Sequence, residues 1–225
     1  MRAVLWDMDG TLVDSEKHWD VAMQALYDRH GRTLTPQVRR STVGGSAEDV
    51  MRIVYADLGL HPDPEEMAAD AGWLHEHTAD LFGRHGLPWC EGARELLDAL
   101  TDEGVPMALV TNTRRFLADR ALDSIGRQYF SATVCGDEVP HGKPAPDPYL
   151  RAAQLLGESP ADCLAVEDSV NGTTSAERAG CAVLVVPNDV DVPGGPRREH
   201  MASLAGVRVD DLRSVYERVQ YVQSL

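Results

Sequence analysis

Five short apolar or β-branched runs, at 3–6, 107–111, 132–135, 163–166 and 182–186, constrain the fold of this 225-residue chain more than anything else in it. Runs this short, bounded by turn residues, read as strands buried on both faces. Helical patterns near 92–103, 116–125, 148–156 and 170–179 lie between successive runs. Strands alternating with helices are the pattern of an α/β protein with a doubly wound parallel sheet.

One stretch breaks the alternation. Residues 16–89 show helical periodicity near 15–30, 47–58 and 64–82 and no strand pattern, so they read as a helical insertion after the first strand. Pro36, Gly44-Gly45 and Pro62-Asp63-Pro64 punctuate its helices, and Gly86-Leu87-Pro88 marks the return to the sheet. Two linkers joining an insertion to a core suit a hinged lid. Residues 187–200, with Pro193-Gly194-Gly195-Pro196, read as a surface loop, and 211–222 as a final amphipathic helix packed on the sheet.

Composition narrows the class of function. No apolar run approaches the ~20 residues that span a bilayer, so no membrane partner is expected. A formal charge of −15 repels nucleic-acid phosphates and anionic membrane surfaces, and Arg197-Arg198 is too short to reverse that. Asp7 interrupts the first apolar run too early for a signal peptide, which gives a cytoplasmic expectation. Cys90, Cys135, Cys163 and Cys181 form no Cys-x-x-Cys pair and read as free thiols. An anionic substrate would have to be attracted locally, by a metal ion or by a few cations.

The first strand ends in Trp6-Asp7-Met8-Asp9-Gly10-Thr11, which places Asp7 and Asp9 on one side of its carboxyl end. Open α/β sheets bind ligands there. Asp-Gly is equally a turn signal, and this segment alone leaves the two readings balanced. Val110-Thr111-Asn112-Thr113 brings a hydroxyl and backbone N–H groups suited to phosphoryl oxygens to the same edge, unless Thr111 or Thr113 only caps the next helix. Lys143 sits in the stiff segment His141-Gly142-Lys143-Pro144-Ala145-Pro146-Asp147-Pro148-Tyr149 before a helix, where prolines reduce the entropy lost in aiming one side chain inward.

Glu167-Asp168 ends the fourth strand, either as N-cap acids or as two further acids at the edge. Four carboxylates converging on one cleft repel each other unless a cation sits among them. Hard oxygen ligands with room for water and phosphate describe Mg2+.

The four segments Asp7-Met8-Asp9-Gly10-Thr11-Leu12-Val13-Asp14-Ser15, Val110-Thr111-Asn112, Gly142-Lys143-Pro144-Ala145-Pro146-Asp147 and Val166-Glu167-Asp168-Ser169-Val170-Asn171-Gly172 together resemble the motifs of the haloacid dehalogenase superfamily, in the order that superfamily has them. The insertion resembles the helical cap of the branch that contains phosphoglycolate phosphatase and β-phosphoglucomutase. The resemblance implies a five-stranded, Rossmann-like parallel sheet core, built from residues 1–15 and 90–225, with an inserted α-helical cap domain at 16–89. Halogen-removing members lack the second acid of the first motif, so Asp9 points to phosphoryl transfer.

By that resemblance Asp7 is the nucleophile and forms an aspartyl-phosphate, and Asp9 is the general acid and base. Thr111 and Asn112 bind the substrate at its phosphoryl group, and Lys143 neutralises charge on Asp7 and on the transferring group. Mg2+ is held by the Asp7 carboxylate, the Asp9 main-chain carbonyl and the Asp168 carboxylate, with Glu167 acting directly or through water. The implied function is Mg2+-dependent hydrolysis of a small phosphate monoester, a sugar or polyol phosphate, by a monomer or weak homodimer.

Leaving-group contacts are expected from the cap: Glu16, His18 and Trp19, and the loop Val43-Gly44-Gly45-Ser46, of which Gly45 and Ser46 are the candidates. His18 and Trp19 fit equally well as packing for the first cap helix, and Gly44-Gly45 as a turn. His75-Glu76-His77 lacks the i, i+4 spacing of a helical metal pair.

A mutase of the β-phosphoglucomutase type is the alternative, disfavoured because Val43 and Ala47 stand where basic residues would grip a second phosphate. A phosphonatase would need a cap lysine, and none follows Lys17 before residue 89. A phosphoacceptor signalling module of the receiver type would have neither the acid-x-acid pair nor the insertion. A phosphate-binding protein of the same fold without turnover stays as a further alternative, against which stands the presence of all the expected reactive groups.

Overall fold

The computed structural model describes residues 1–42, 47–188 and 191–223. They form two compact units, one of residues Met1–Asp14 and Leu87–Leu225 and one of residues Ser15–Gly86.

The larger unit is an α/β fold around a parallel sheet. Strands β1 (Ala3–Trp6), β2 (Met107–Val110), β4 (Cys163–Glu167) and β5 (Ala182–Val185) bury every residue, as runs of Ala, Val and Leu covered on both faces must. With β3 (Ala132–Val134) and β6 (Arg198–His200) the order is β3-β2-β1-β4-β5-β6, and every pairing is parallel. Trp6 at the end of β1 is in register with Leu109 on one side and Val166 on the other, so three strands finish level. The strand order reverses beside β1, which places the ligand crevice of such a sheet at its carboxyl end.

The helices of this unit are α5 (Ala93–Asp102), α6 (Arg115–Ile125), α7 (Asp147–Leu156), α8 (Val170–Ala179) and α9 (Val209–Gln223). Tyr149, Ala152 and Ala153 of α7 and Ala176 of α8 join Leu5, Val110, Ala165 and Val183 in one core. Among the described residues no helix is long and apolar enough to cross a membrane.

Two expectations are corrected. The sheet has six strands instead of five, because part of the expected surface loop at 187–200 adds β6 to the edge, pairing Val183 with Arg198 and Val185 with His200. The strand is Arg-Glu-His, so no apolar run announces it. Its attachment is polar: Arg198 donates to Glu177 at 2.8 Å, and Arg197 to the Gly180 carbonyl at 3.0 Å. The helical stretch also ends sooner than the expected residue 89. Leu87–Trp89 already belongs to the sheet unit, where the Asp14 N–H reaches the Pro88 carbonyl at 2.9 Å and Cys90 N–H reaches Leu12 at 2.9 Å.

The smaller unit holds α1 (Glu16–Arg29), α2 (Pro36–Thr42), α3 (Ala47–Leu58) and α4 (Pro64–His85). Their apolar faces meet in a core of Met23, Leu26, Tyr27, Met51, Val54, Tyr55 and Leu74. Asp63 starts α4 by accepting from the Glu65 and Glu66 N–H groups, with Pro64 at the first helical position. Gly86, at φ +68°, ends it.

Candidate active site

Asp7 leaves the end of β1 with its N–H bonded to the Val166 carbonyl at 3.1 Å, which fixes its backbone between two strands. Its Oδ1 lies 2.6 Å from Lys143 Nζ. The same ammonium lies 2.6 Å from Glu167 Oε1 at the end of β4, and all three side chains are buried. Asp7 Oδ2 is buried and has no hydrogen-bond partner among the described residues. One oxygen each of Asp7, Glu167 and Asp168 falls within 4.8 Å of the others.

This cluster holds more negative charge than its surroundings offset. Burial, and then the charge of Glu167, raise the proton affinity of Asp7 well above the usual carboxylate range, against the pull of Lys143. Burial, then the charges of Asp7 and Glu167, do the same to Asp168. For Lys143 burial acts against the charged form, but Asp7 and Glu167 outweigh it and keep the ammonium protonated. The carboxylates of Asp7 and Asp168, set in this surplus of negative charge, fit a hard divalent cation.

The expected residues come together at these strand ends, but with a division of labour that their order in sequence does not reveal. Thr111, expected at a phosphoryl oxygen, donates to Asp9 Oδ2 at 3.1 Å, and Thr113 donates to the same oxygen at 2.8 Å. The Thr113 N–H reaches Thr111 Oγ1 at 2.9 Å, closing a small ring that holds the Asp9 carboxylate. Asn112, expected at the substrate, clamps the backbone of Lys143: it accepts from the Lys143 N–H at 2.7 Å and donates to its carbonyl at 3.1 Å.

Glu167 is fully engaged by protein donors. Its Oε1 accepts from Tyr149 at 2.7 Å as well as from Lys143, and its Oε2 from the Ser169 hydroxyl at 3.2 Å. The alternative of N-cap acids fails here, because Ser169 caps α8 by accepting from the Gly172 N–H at 3.1 Å. Two glycines permit the crowding. At Gly10, with φ +84°, a side-chain carbon would run into the Asp168 carboxylate, and at Gly172 into the Glu167 carboxylate.

Thr113, Tyr149 and Ser169 are the members that sequence reasoning missed as site residues. Each carries a hydroxyl within a segment already singled out, and that is the whole of their signal. In the helical unit, His18 is buried with its ring 5.3 Å from Phe82, edge-on, and Trp19 stands edge-on to His75 at 5.8 Å. Each therefore makes a ring contact within its own unit. Gly45 and Ser46, with Val43 and Gly44, lie outside the described residues, and so does the side chain of Glu16.

Residues 1–180 match the haloacid dehalogenase-like hydrolase family, a span that includes every residue of the strand-end cluster. The chain belongs to this family. It is 31% identical over 190 residues to a phosphoglycolate phosphatase of Thiobacillus denitrificans, covering 83% of each chain. It is 32% identical over 193 residues to the validoxylamine A 7'-phosphate phosphatase of Streptomyces hygroscopicus subsp. limoneus, covering 84% of this chain and 88% of that one. In fold it is similar to the crystal structure of CbbY from Rhodobacter sphaeroides in complex with phosphate. The TM-score is 0.83 at 23% identity, with 95% of this chain and 99% of that chain covered. As a member of a family whose relatives are phosphatases, the chain is a phosphoric monoester hydrolase.

Proposed function

We propose that the chain hydrolyses a small phosphate monoester, a sugar or polyol phosphate, in two steps through an aspartyl-phosphate on Asp7. The observation that carries this reading is the state of Asp7: Lys143 holds Oδ1 at 2.6 Å while the buried Oδ2 has no hydrogen-bond partner among the described residues. A carboxylate with one oxygen anchored and the other bare is aimed as a nucleophile.

In the first step Asp7 Oδ2 forms a bond to phosphorus and the bond from phosphorus to the ester oxygen breaks. Asp9 gives its proton to the departing alkoxide, with its carboxylate steadied by Thr111 and Thr113. In the second step water attacks the phosphorus, Asp9 takes the water's proton, and the bond from phosphorus to Asp7 breaks. Inorganic phosphate leaves and both carboxylates return to their starting state. Lys143 offsets charge on Asp7 and on the transferring group throughout, and Asn112 fixes the loop that carries it.

Asp7, Asp168 and the Asp9 main-chain carbonyl are the groups that would hold Mg2+, which when bound offsets the surplus charge of the cluster and of the phosphoryl oxygens. Glu167 is assigned to Lys143, since Lys143, Tyr149 and Ser169 occupy its two oxygens. The helical unit serves as a cap that selects the leaving group, as its insertion between the first two strands suggests.

The test is hydrolysis of p-nitrophenyl phosphate and of a panel of sugar and polyol phosphates, with and without EDTA. Turnover that releases free phosphate, stops on chelation and is absent from Asp7→Asn is expected. Activity surviving both treatments overturns the mechanism, and isomerised product without phosphate release points to a mutase.

A further inference from the structure

We propose that Tyr149 is a positioning residue of the phosphoryl-transfer site: its hydroxyl holds Glu167 as the counter-ion of Lys143 and so keeps Lys143 aimed at Asp7, a role that rests on the reading of Asp7 as nucleophile. Tyr149 lies in the first turn of α7 and is buried from solvent completely. It meets the ion pair twice. The hydroxyl donates to Glu167 Oε1 at 2.7 Å, the same oxygen that Lys143 Nζ approaches at 2.6 Å. The ring centre lies 5.2 Å from that Nζ, within the range of a cation–π attraction.

The geometry gives the hydroxyl a definite task. Lys143 carries a compact charge on a flexible stem and stands between two carboxylates at equal distance, Asp7 Oδ1 and Glu167 Oε1, each at 2.6 Å. A neutral donor on Glu167 Oε1 drains part of the negative charge from that side, which lets Asp7 compete for the ammonium. It also fixes the rotation of the Glu167 carboxylate, whose Oε2 is held by Ser169 at 3.2 Å. Burial, reinforced by Glu167, keeps the phenol protonated and therefore a donor.

Removing only this hydroxyl leaves Glu167 more negative, draws Lys143 away from Asp7 and deepens the potential felt by a divalent cation. Tyr149→Phe keeps the ring, its packing and its face toward Nζ. We expect kcat for p-nitrophenyl phosphate to fall about tenfold with KM within about twofold, the weight of one hydrogen bond to a charged group. Mg2+ alone, titrated calorimetrically into the substrate-free enzyme, should bind about threefold more tightly. A lowered unfolding midpoint with wild-type kcat and wild-type Mg2+ affinity would show a packing role and overturn the inference.

A second comparison tests whether Tyr149 acts through Glu167. In a Glu167→Gln background the buried charge is gone, so adding Tyr149→Phe should change kcat by less than about twofold. A full tenfold loss there overturns the inference, and this pair serves if Tyr149→Phe alone does not fold. Asp7→Asn separates the two readings. If it retains activity, the nucleophile assignment fails and the role of Tyr149 with it. If it is inactive while Tyr149→Phe equals wild type in kcat and Mg2+ binding, only the role of Tyr149 fails.

Discussion

In the helical unit Asp70 accepts from His30 Nε2 and from the Tyr55 hydroxyl, both at 3.0 Å, and Asp57 accepts from Tyr27 at 3.0 Å. At the strand ends of the sheet unit one oxygen each of Asp7, Glu167 and Asp168 lies within 4.8 Å of the others, and one ammonium, Lys143, pairs with the first two. The first arrangement distributes a donor to each acid and resembles any well-satisfied polar network between helices. The second concentrates charge beyond what its partners offset, and folding alone gives no reason to do that. The difference separates a polar network that serves packing from one that serves chemistry: the sign is uncompensated charge held rigidly, rather than burial or hydrogen bonding as such.

The contrast can be broken most severely at Asp7. Asp7→Asn should lower turnover of p-nitrophenyl phosphate by at least about 10³-fold, as loss of a nucleophile does. The unfolding midpoint in urea should not fall, because the change removes surplus buried charge. A variant that is both active and destabilised would place Asp7 in the structural class.

Lys143→Met attacks the other side of the imbalance. It should cost about 10²-fold or more in kcat. It should also cost about 3–5 kcal/mol in unfolding free energy in the metal-free protein, since two buried carboxylates lose their shared ammonium. Equilibrium urea unfolding beside the kinetics reads both, and a drop in activity with unchanged stability would contradict the buried pair.

Divalent cation should relieve what Lys143 leaves uncompensated. At about 100 times its dissociation constant Mg2+ should stabilise the protein by roughly 2.7 kcal/mol, a shift of several degrees in Tm by calorimetry. Asp168→Asn should lose most of that shift. A wild-type response in Asp168→Asn would remove Asp168 from the cation site.

The smallest effect is expected in the helical unit. Asp70→Ala leaves His30 and Tyr55 without their acceptor and should lower stability by about 1–2 kcal/mol. Hydrolysis of p-nitrophenyl phosphate should stay within about twofold of wild type, because the donors that Asp70 satisfies belong to its own unit. A large loss of kcat would mean that the polar network of the helical unit also serves the reaction.

The strands and the acids at their ends were legible because each signal is local. An apolar run followed by acids and a glycine is complete within residues 3–10 at one strand and 163–172 at another, and a parallel sheet delivers every such run to the same edge. β6 was not legible, since Arg198-Glu199-His200 joins the sheet through backbone bonds and through Glu177 rather than through an apolar face. His18 and Trp19 were ambiguous for a related reason. Proximity in sequence to the first motif suggests substrate contacts, while an aromatic or imidazole ring on a helix equally suits contacts such as those with Phe82 and His75 in the helical unit.

The sequence alone determined the α/β class and the helical insertion, because these follow from periodicity; it named four acids and a lysine for the strand ends, of which Asp7, Glu167 and Asp168 cluster while Asp9 is held by Thr111 and Thr113. Tertiary structure decided the pairings: Thr111 and Thr113 with Asp9, Asn112 with the Lys143 backbone, and Tyr149 with Glu167. Such bonds join residues about 20 to 100 positions apart, as from Glu167 back to Tyr149 or from Thr113 back to Asp9. Their geometry exists only once helices and strands have packed, since distance and direction between side chains on different elements are properties of the packed whole.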